Sequence, residues 1–179
     1  MKIQKLGLVC LLLLGMAAAN AQDKIKVDAL AAAIARAEGY GRRGKIPTKY
    51  HNPGDIKARH GVRLPGQKRV GKGGHIVFYT DAYGWAALRD QIAKMMDGRS
   101  SHYNQDMTLE QVARMYAARW RPWVVIVSRE LGVSPQVTLR QYFAPDEVRI
   151  PEVPLTTPRI ILPIAPEWHH SGDNLGGGL

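Results

Sequence analysis

Between Leu30 and Gly44 the sequence passes from an alanine-rich apolar repeat into a run of glycines, and one acid, Glu38, stands at the join. Leu30, Ile34 and Glu38 recur every four residues, so a helix places Glu38 along the edge of its apolar stripe. Alanine favours that helix, and Gly39 and Gly41 end it. Asp28 stands where a cap is expected, ahead of a buried face of Leu30, Ala33, Ile34 and Ala37. Beyond Gly44 the chain reaches a polar turn, His51-Asn52-Pro53-Gly54-Asp55. A carboxyl group at the end of an apolar helix, facing such a turn, suits an acid catalyst in a cleft. Partial desolvation raises its pKa and keeps a proton available. The same spacing also fits a helix-end glutamate that points to water.

The 179 residues are 45% apolar and 22% charged, enough to bury one core and no more than one ordinary domain. Lys2 and Lys5, the apolar run Leu6 to Ala19 and the small-residue site Ala19-Asn20-Ala21 read as a secretory signal peptide over residues 1–21. The run is short for a membrane span, so no stable anchor is expected after cleavage. Cleavage would remove Cys10, the one cysteine, leaving neither disulfide nor thiol nucleophile in an oxidising compartment. It would also remove Lys2 and Lys5 and no acid, which lowers the formal charge from +10 to +8. An exported, periplasmic or extracellular protein this basic suits a polyanion: wall polymer, lipid head groups or nucleic acid.

Residues 56–79 are rich in glycine, lysine and arginine, with β-prone pieces at Val62 to Leu64 and Ile76 to Tyr79. They read as a small hairpin with a long basic loop, Pro65 to Gly74. That loop nearly matches a phosphate-cradling pattern, but Gly73 stands where the magnesium-binding hydroxyl belongs. A solvated loop touching an anionic polymer is the better reading, and no nucleic-acid motif accompanies it. Asp81 opens a second helix with Trp85, Leu88, Ile92 and Met95 or Met96 at helical spacing. In it, Trp85 reads as core before sugar platform. Thr108-Leu109-Glu110-Gln111 is a capping box for a third helix. Val124 to Val127 fits helix or buried strand, and Ser134-Pro135 resembles another helix start. Residues 144–179 carry a dense run of prolines and a glycine-rich end, and read as an extended tail. Its segment Arg159 to Ile164 is apolar enough to dock on the domain or on envelope machinery. His169-His170 reads as solvated before it reads as a metal pair.

Taken together, Ala35-Arg36-Ala37-Glu38-Gly39-Tyr40, the turn His51 to Ile56, Phe78-Tyr79-Thr80, Gly84-Trp85-Ala86-Ala87-Leu88, Thr108-Leu109, Tyr116-Ala117 and Leu131-Gly132-Val133 follow a familiar order. The chain resembles the lysozyme-like, lytic-transglycosylase-like domains of bacterial and phage cell-wall proteins, over about residues 27 to 143. The resemblance implies a mainly α, lysozyme-like fold over residues 22–143, a helical body and a small β-hairpin flanking a cleft. It makes the Val124 run a helix. It implies cleavage of the bond between N-acetylmuramic acid and N-acetylglucosamine in peptidoglycan, with Glu38 as general acid and then base and neither cofactor nor metal. It points to Asn52, Asp55, Thr80 and Tyr116 for substrate binding. Asn52 and Tyr116 would hold the substrate acetamido group or orient Glu38.

The chain departs from the family at His51 and Asp55, where asparagine is common. Asp55 is then either a second carboxylate, which would favour hydrolysis through an activated water, or a turn-maker bonded to nearby amides. Asp81 is a further acid whose place suits a helix cap. Ala118 to Trp123 is less like the family and is expected to reshape the cleft. A non-catalytic wall-binding component with the same fold remains the alternative.

Overall fold

The computed structural model describes residues 22–144; the expected signal peptide and the readings on the tail, Arg159 to Ile164 and His169-His170 included, lie outside them. The described residues are mainly helical, with one small two-stranded antiparallel sheet among them. Helix α1 covers residues 22–38. It presents Leu30, Ala31, Ala33, Ile34 and Ala35 inward, all at most 3% exposed. The small alanines let neighbouring helices approach closely. Asp28 is not its cap: it lies within the helix and pairs with Arg89 at 2.5 Å. The helix ends as its glycine requires. Gly39 takes φ 81°, its N–H bonds the Arg36 carbonyl, and the Tyr40 N–H reaches back to Ala35. Glu38 is the last helical residue before that turn.

A short helix α2, Ile46–Lys49, leads to the polar turn. Strand β1, Gln67–Val70, pairs antiparallel with β2, Ile76–Phe78, across a 3-10 turn at Lys72–Gly74, with a bulge between Gln67 and Arg69. The hairpin is where it was expected, but its first strand is not Val62 to Leu64. It falls inside the segment read as a basic loop, because Gln67 supplies the buried residue that Val62, half exposed, does not. The phosphate-cradling pattern is therefore spent on a strand.

Helix α3, Asp81–Met96, buries Gly84, Leu88, Ile92 and Met95. Helix α4, Leu109–Tyr116, carries the expected capping box: the Gln111 N–H donates to Thr108 Oγ1, and the Thr108 N–H to Gln111 Oε1. The Val124 run lies in α5, Trp120–Leu131. Helix α6, Leu139–Phe143, starts four residues later than Ser134-Pro135 suggested, because a second capping box, Thr138 with Gln141, takes the start. Thr108 and Thr138 form a bridge, so the two boxes align α4 and α6 side by side. One core joins α1, α3, α4, α5 and α6 around Ile34, Leu88, Leu109, Val127 and Leu139, each no more than 1% exposed.

Candidate active site

The polar turn is built on one side chain. Asn52 is fully buried, its amide nitrogen donates to the carbonyls of Ile56 and Ile76, and its oxygen accepts from the Ile56 N–H. It closes the turn on itself and fastens it to β2. His51 and Asp55 on either side take left-handed backbone conformations, φ 53° and 48°. Aspartate accepts that conformation better than most residues. Gly84 fixes the turn to α3: a Cβ there would lie 1.9 Å from the His51 carbonyl oxygen.

The turn faces a cleft of about 790 Å³, closed on the other side by the end of α1 and by α4 and α5. Glu38 and Asp55 both line it. Glu38 is partly buried, and its pKa is pushed up from 4.5 to about 7. Burial is the main cause; the negative charge of Asp55 adds to it, and a hydrogen bond from Trp123 opposes it. The helix C-terminus acts in the same direction as burial, since its dipole disfavours an anion there. The Trp123 indole N–H donates to Glu38 Oε1 at 2.8 Å. An indole can only donate, and this one is buried, so the carboxyl oxygen is its partner and its orientation is fixed in return.

Asp55 is held from the sheet side. His75 Nδ1 lies 2.8 Å from Asp55 Oδ1 and 3.2 Å from the Asp55 carbonyl oxygen. The carbonyl can only accept, so Nδ1 carries the proton; its aligned bond is to that carbonyl, and Oδ1 receives a close but poorly directed approach. Burial raises the Asp55 pKa, with His75 and Lys57 opposing. Tyr116 links the two sides: its hydroxyl donates to the Gly54 carbonyl at 2.6 Å, and its ring lies 5.2 Å from that of Trp123. Burial holds this phenol firmly protonated.

Glu38, Asp55 and Tyr116 thus come together, with Ala118, Arg119 and Trp123 of the segment expected to shape the cleft. Two other residues do not join them. Asn52 is sealed beneath the turn with its amide already bonded, so it positions the wall of the cleft and offers nothing to a substrate. Thr80 precedes α3 as an exposed residue outside the cleft lining, and makes no capping bond. Tyr116 does not orient Glu38; Trp123 does. Asp81 opens α3 as its first residue rather than its cap; its carboxylate binds His51 Nδ1 at 2.8 Å. Burial works against its ionised form, but the bonds from His51 and Tyr40 outweigh that and lower its pKa. Trp85 is only partly buried; it packs on the core and meets Tyr40 edge-on at 5.5 Å, away from the cleft.

Sequence reasoning missed Trp123 and His75. The signal for Trp123 was its chemistry: a donor-only indole in an apolar run needs an acceptor, and Glu38 was the acid on a core edge. Nothing in sequence pairs His75 with Asp55. Also missed were Arg42, Lys57, Arg59 and Arg119, which line the cleft and form no close ion pair among the described residues, although the charge of Lys57 reaches Asp55. Glu38 and Asp55 are the acids of the lining, so its rim is cationic. No helix among the described residues is long and apolar enough to cross a membrane, and no group of three or more acids, histidines or cysteines among them is placed to hold a metal. Comparison of the chain with family models, with curated proteins and with solved structures yields no match.

Proposed function

We propose that the protein is an exported peptidoglycan-cleaving enzyme of the lysozyme-like, lytic-transglycosylase-like kind, with Glu38 as its acid. The observation that carries this reading is one carboxyl group, partly buried in a cleft, whose pKa is raised to about 7. Such a group keeps its proton near neutrality, unlike an ordinary glutamate. In the proposed reaction Glu38 gives that proton to the glycosidic oxygen as the bond from the muramoyl anomeric carbon breaks. The substrate's own acetamido group stabilises the cationic carbon. Glu38, now a carboxylate, takes the proton of the muramoyl 6-hydroxyl, which closes a 1,6-anhydro ring. If water attacks instead, the product is a reducing end. The hold of His75 on Asp55 supports a turn-making and charge-setting role for Asp55, and through its charge Asp55 favours the protonated form of Glu38.

The second reading is a wall-binding component without turnover. The cationic rim of the cleft favours it, because a polyanion would be held there whether or not it is cut. Incubating the purified protein with isolated sacculi and weighing the released fragments by mass spectrometry decides between them. Wild type should release muropeptides lacking one water at the muramoyl end, and Glu38→Gln should reduce release by about 10³-fold or more. Equal release by both proteins, or none by wild type, would remove the catalytic reading.

A further inference from the structure

The positive charge of the chain is not spread evenly. Residues 39–80 contain ten lysines and arginines and a single acid, Asp55. Four of the large apolar or aromatic side chains that stand exposed lie in this stretch or just after it: Val62, Val70, Tyr79 and Tyr83. Two of them form one built feature. A Cβ on Gly66 would lie 2.0 Å from Tyr83 Cγ and 2.3 and 2.4 Å from its two Cδ carbons. Those distances place the glycine above the ring and not at its edge. Tyr83 therefore rests one face on bare backbone while the residue stays 45% exposed. Gly66 has φ 68°, which glycine alone adopts without cost, so the seat is specified twice over. The Gly66 carbonyl accepts from the Tyr79 N–H at 3.0 Å, which ties the backbone at Tyr79 to the seat of Tyr83; the Tyr79 side chain is 58% exposed. Lys68 Nζ stands 5.9 Å from the Tyr79 ring centre. None of these residues lines the cleft.

A seated aromatic ring, with a second exposed ring and a cation close by along the chain, matches a sugar with a charged substituent. The C–H face of a pyranose stacks on a tyrosine ring, and a nearby ammonium takes a carboxylate. We propose that Gly66, Lys68, Tyr79 and Tyr83 form a second binding site, outside the cleft, for carboxylate-bearing glycan strands. Its occupant rests on the reading of the protein as a peptidoglycan enzyme; the site itself does not. A strand held there keeps the protein on its insoluble polymer between events in the cleft.

The test is co-sedimentation of the full chain with purified sacculi at physiological salt, using Glu38→Gln as background so that the wall persists. Adding Tyr79→Ala and Tyr83→Ala should weaken binding about tenfold or more, and Tyr83→Phe should not. Where Tyr83→Ala lowers thermal stability, Tyr79→Ala with Lys68→Gln carries the test, since neither side chain is buried. In the active background, those variants should cut short soluble glycan fragments at the wild-type rate and intact sacculi more slowly. Unchanged sedimentation of the variants overturns the site. Equal retention of wild type on single-stranded DNA or on anionic lipid vesicles, lost in the same variants, overturns the glycan as occupant. A protein that binds sacculi through these tyrosines yet releases nothing from any substrate keeps the site and loses the enzyme.

Discussion

Glu38 sits between one influence that removes its charge and one that restores it. Burial raises its pKa, and the Trp123 N–H, bonded at 2.8 Å, draws it back. Trp123→Phe keeps an aromatic ring and deletes the donor. The carboxylate then loses a partner that the neutral acid needs less, so the Glu38 pKa should climb above about 7, by on the order of one unit. Titration of the Glu38 side-chain carbon by NMR reads this directly. An unchanged or lower midpoint would show that the indole does not govern the acid. The spacing of Leu30, Ile34 and Glu38 told where this carboxyl lies. It said nothing of its partner, because Trp123 is 85 residues away and reaches it through packing of α5 on the end of α1.

Among the elements, the contact of α3 with the polar turn is the tightest fit. Gly84 lies within α3, where alanine would be the better helix former. Gly84→Ala should nonetheless destabilise, because its methyl would meet the His51 carbonyl at 1.9 Å and Pro53 Cδ at 2.8 Å. A carbonyl of the main chain and a proline ring closed onto it cannot yield as a flexible side chain can, so the cost should be about 2 kcal/mol or more. Chemical denaturation would show the loss, and a variant as stable as wild type would mean that α3 slides freely on the turn. Local rules made some of these elements legible. Thr108 with Gln111 marks α4, and the same pattern at Thr138 with Gln141 marks α6 more closely than Ser134-Pro135 does. The first strand was missed for another reason. Val62 to Leu64 has the β-prone residues, but pairing with β2 and the burial of Gln67 select residues 67–70, and those are tertiary facts.

At the scale of the whole molecule, the raised acid makes stability depend on pH. Between pH 4.5 and about 7 the folded protein keeps a proton on Glu38 that the unfolded chain has released. The folded state then binds more protons, so stability falls as pH rises through this window, by up to roughly 1.4 kcal/mol per unit. Glu38→Gln removes the effect and preserves an oxygen for Trp123. Near pH 4 the variant should match wild type, and at pH 8 it should be more stable by as much as about 3 kcal/mol. Melting both proteins at the two pH values checks this without any substrate. A difference that shrinks with rising pH would contradict the placement of Glu38. The uneven charge, with residues 39–80 holding ten cations, was countable in the sequence. Its meaning was not, since only the folded chain puts Arg42, Lys57, Arg59 and Arg119 around one cleft.

The phenol of Tyr116 has its hydroxyl on Gly54 and its ring against Trp123. One side chain thereby spans from the support of one carboxyl to the wall that carries the other. A phenol ring is rigid, so the span from the Gly54 carbonyl to the Trp123 ring is set by one side chain and its two contacts. Loss of that 2.6 Å bond would remove the tie to α4 and leave the turn held by Asn52 to β2 and by its close fit on Gly84.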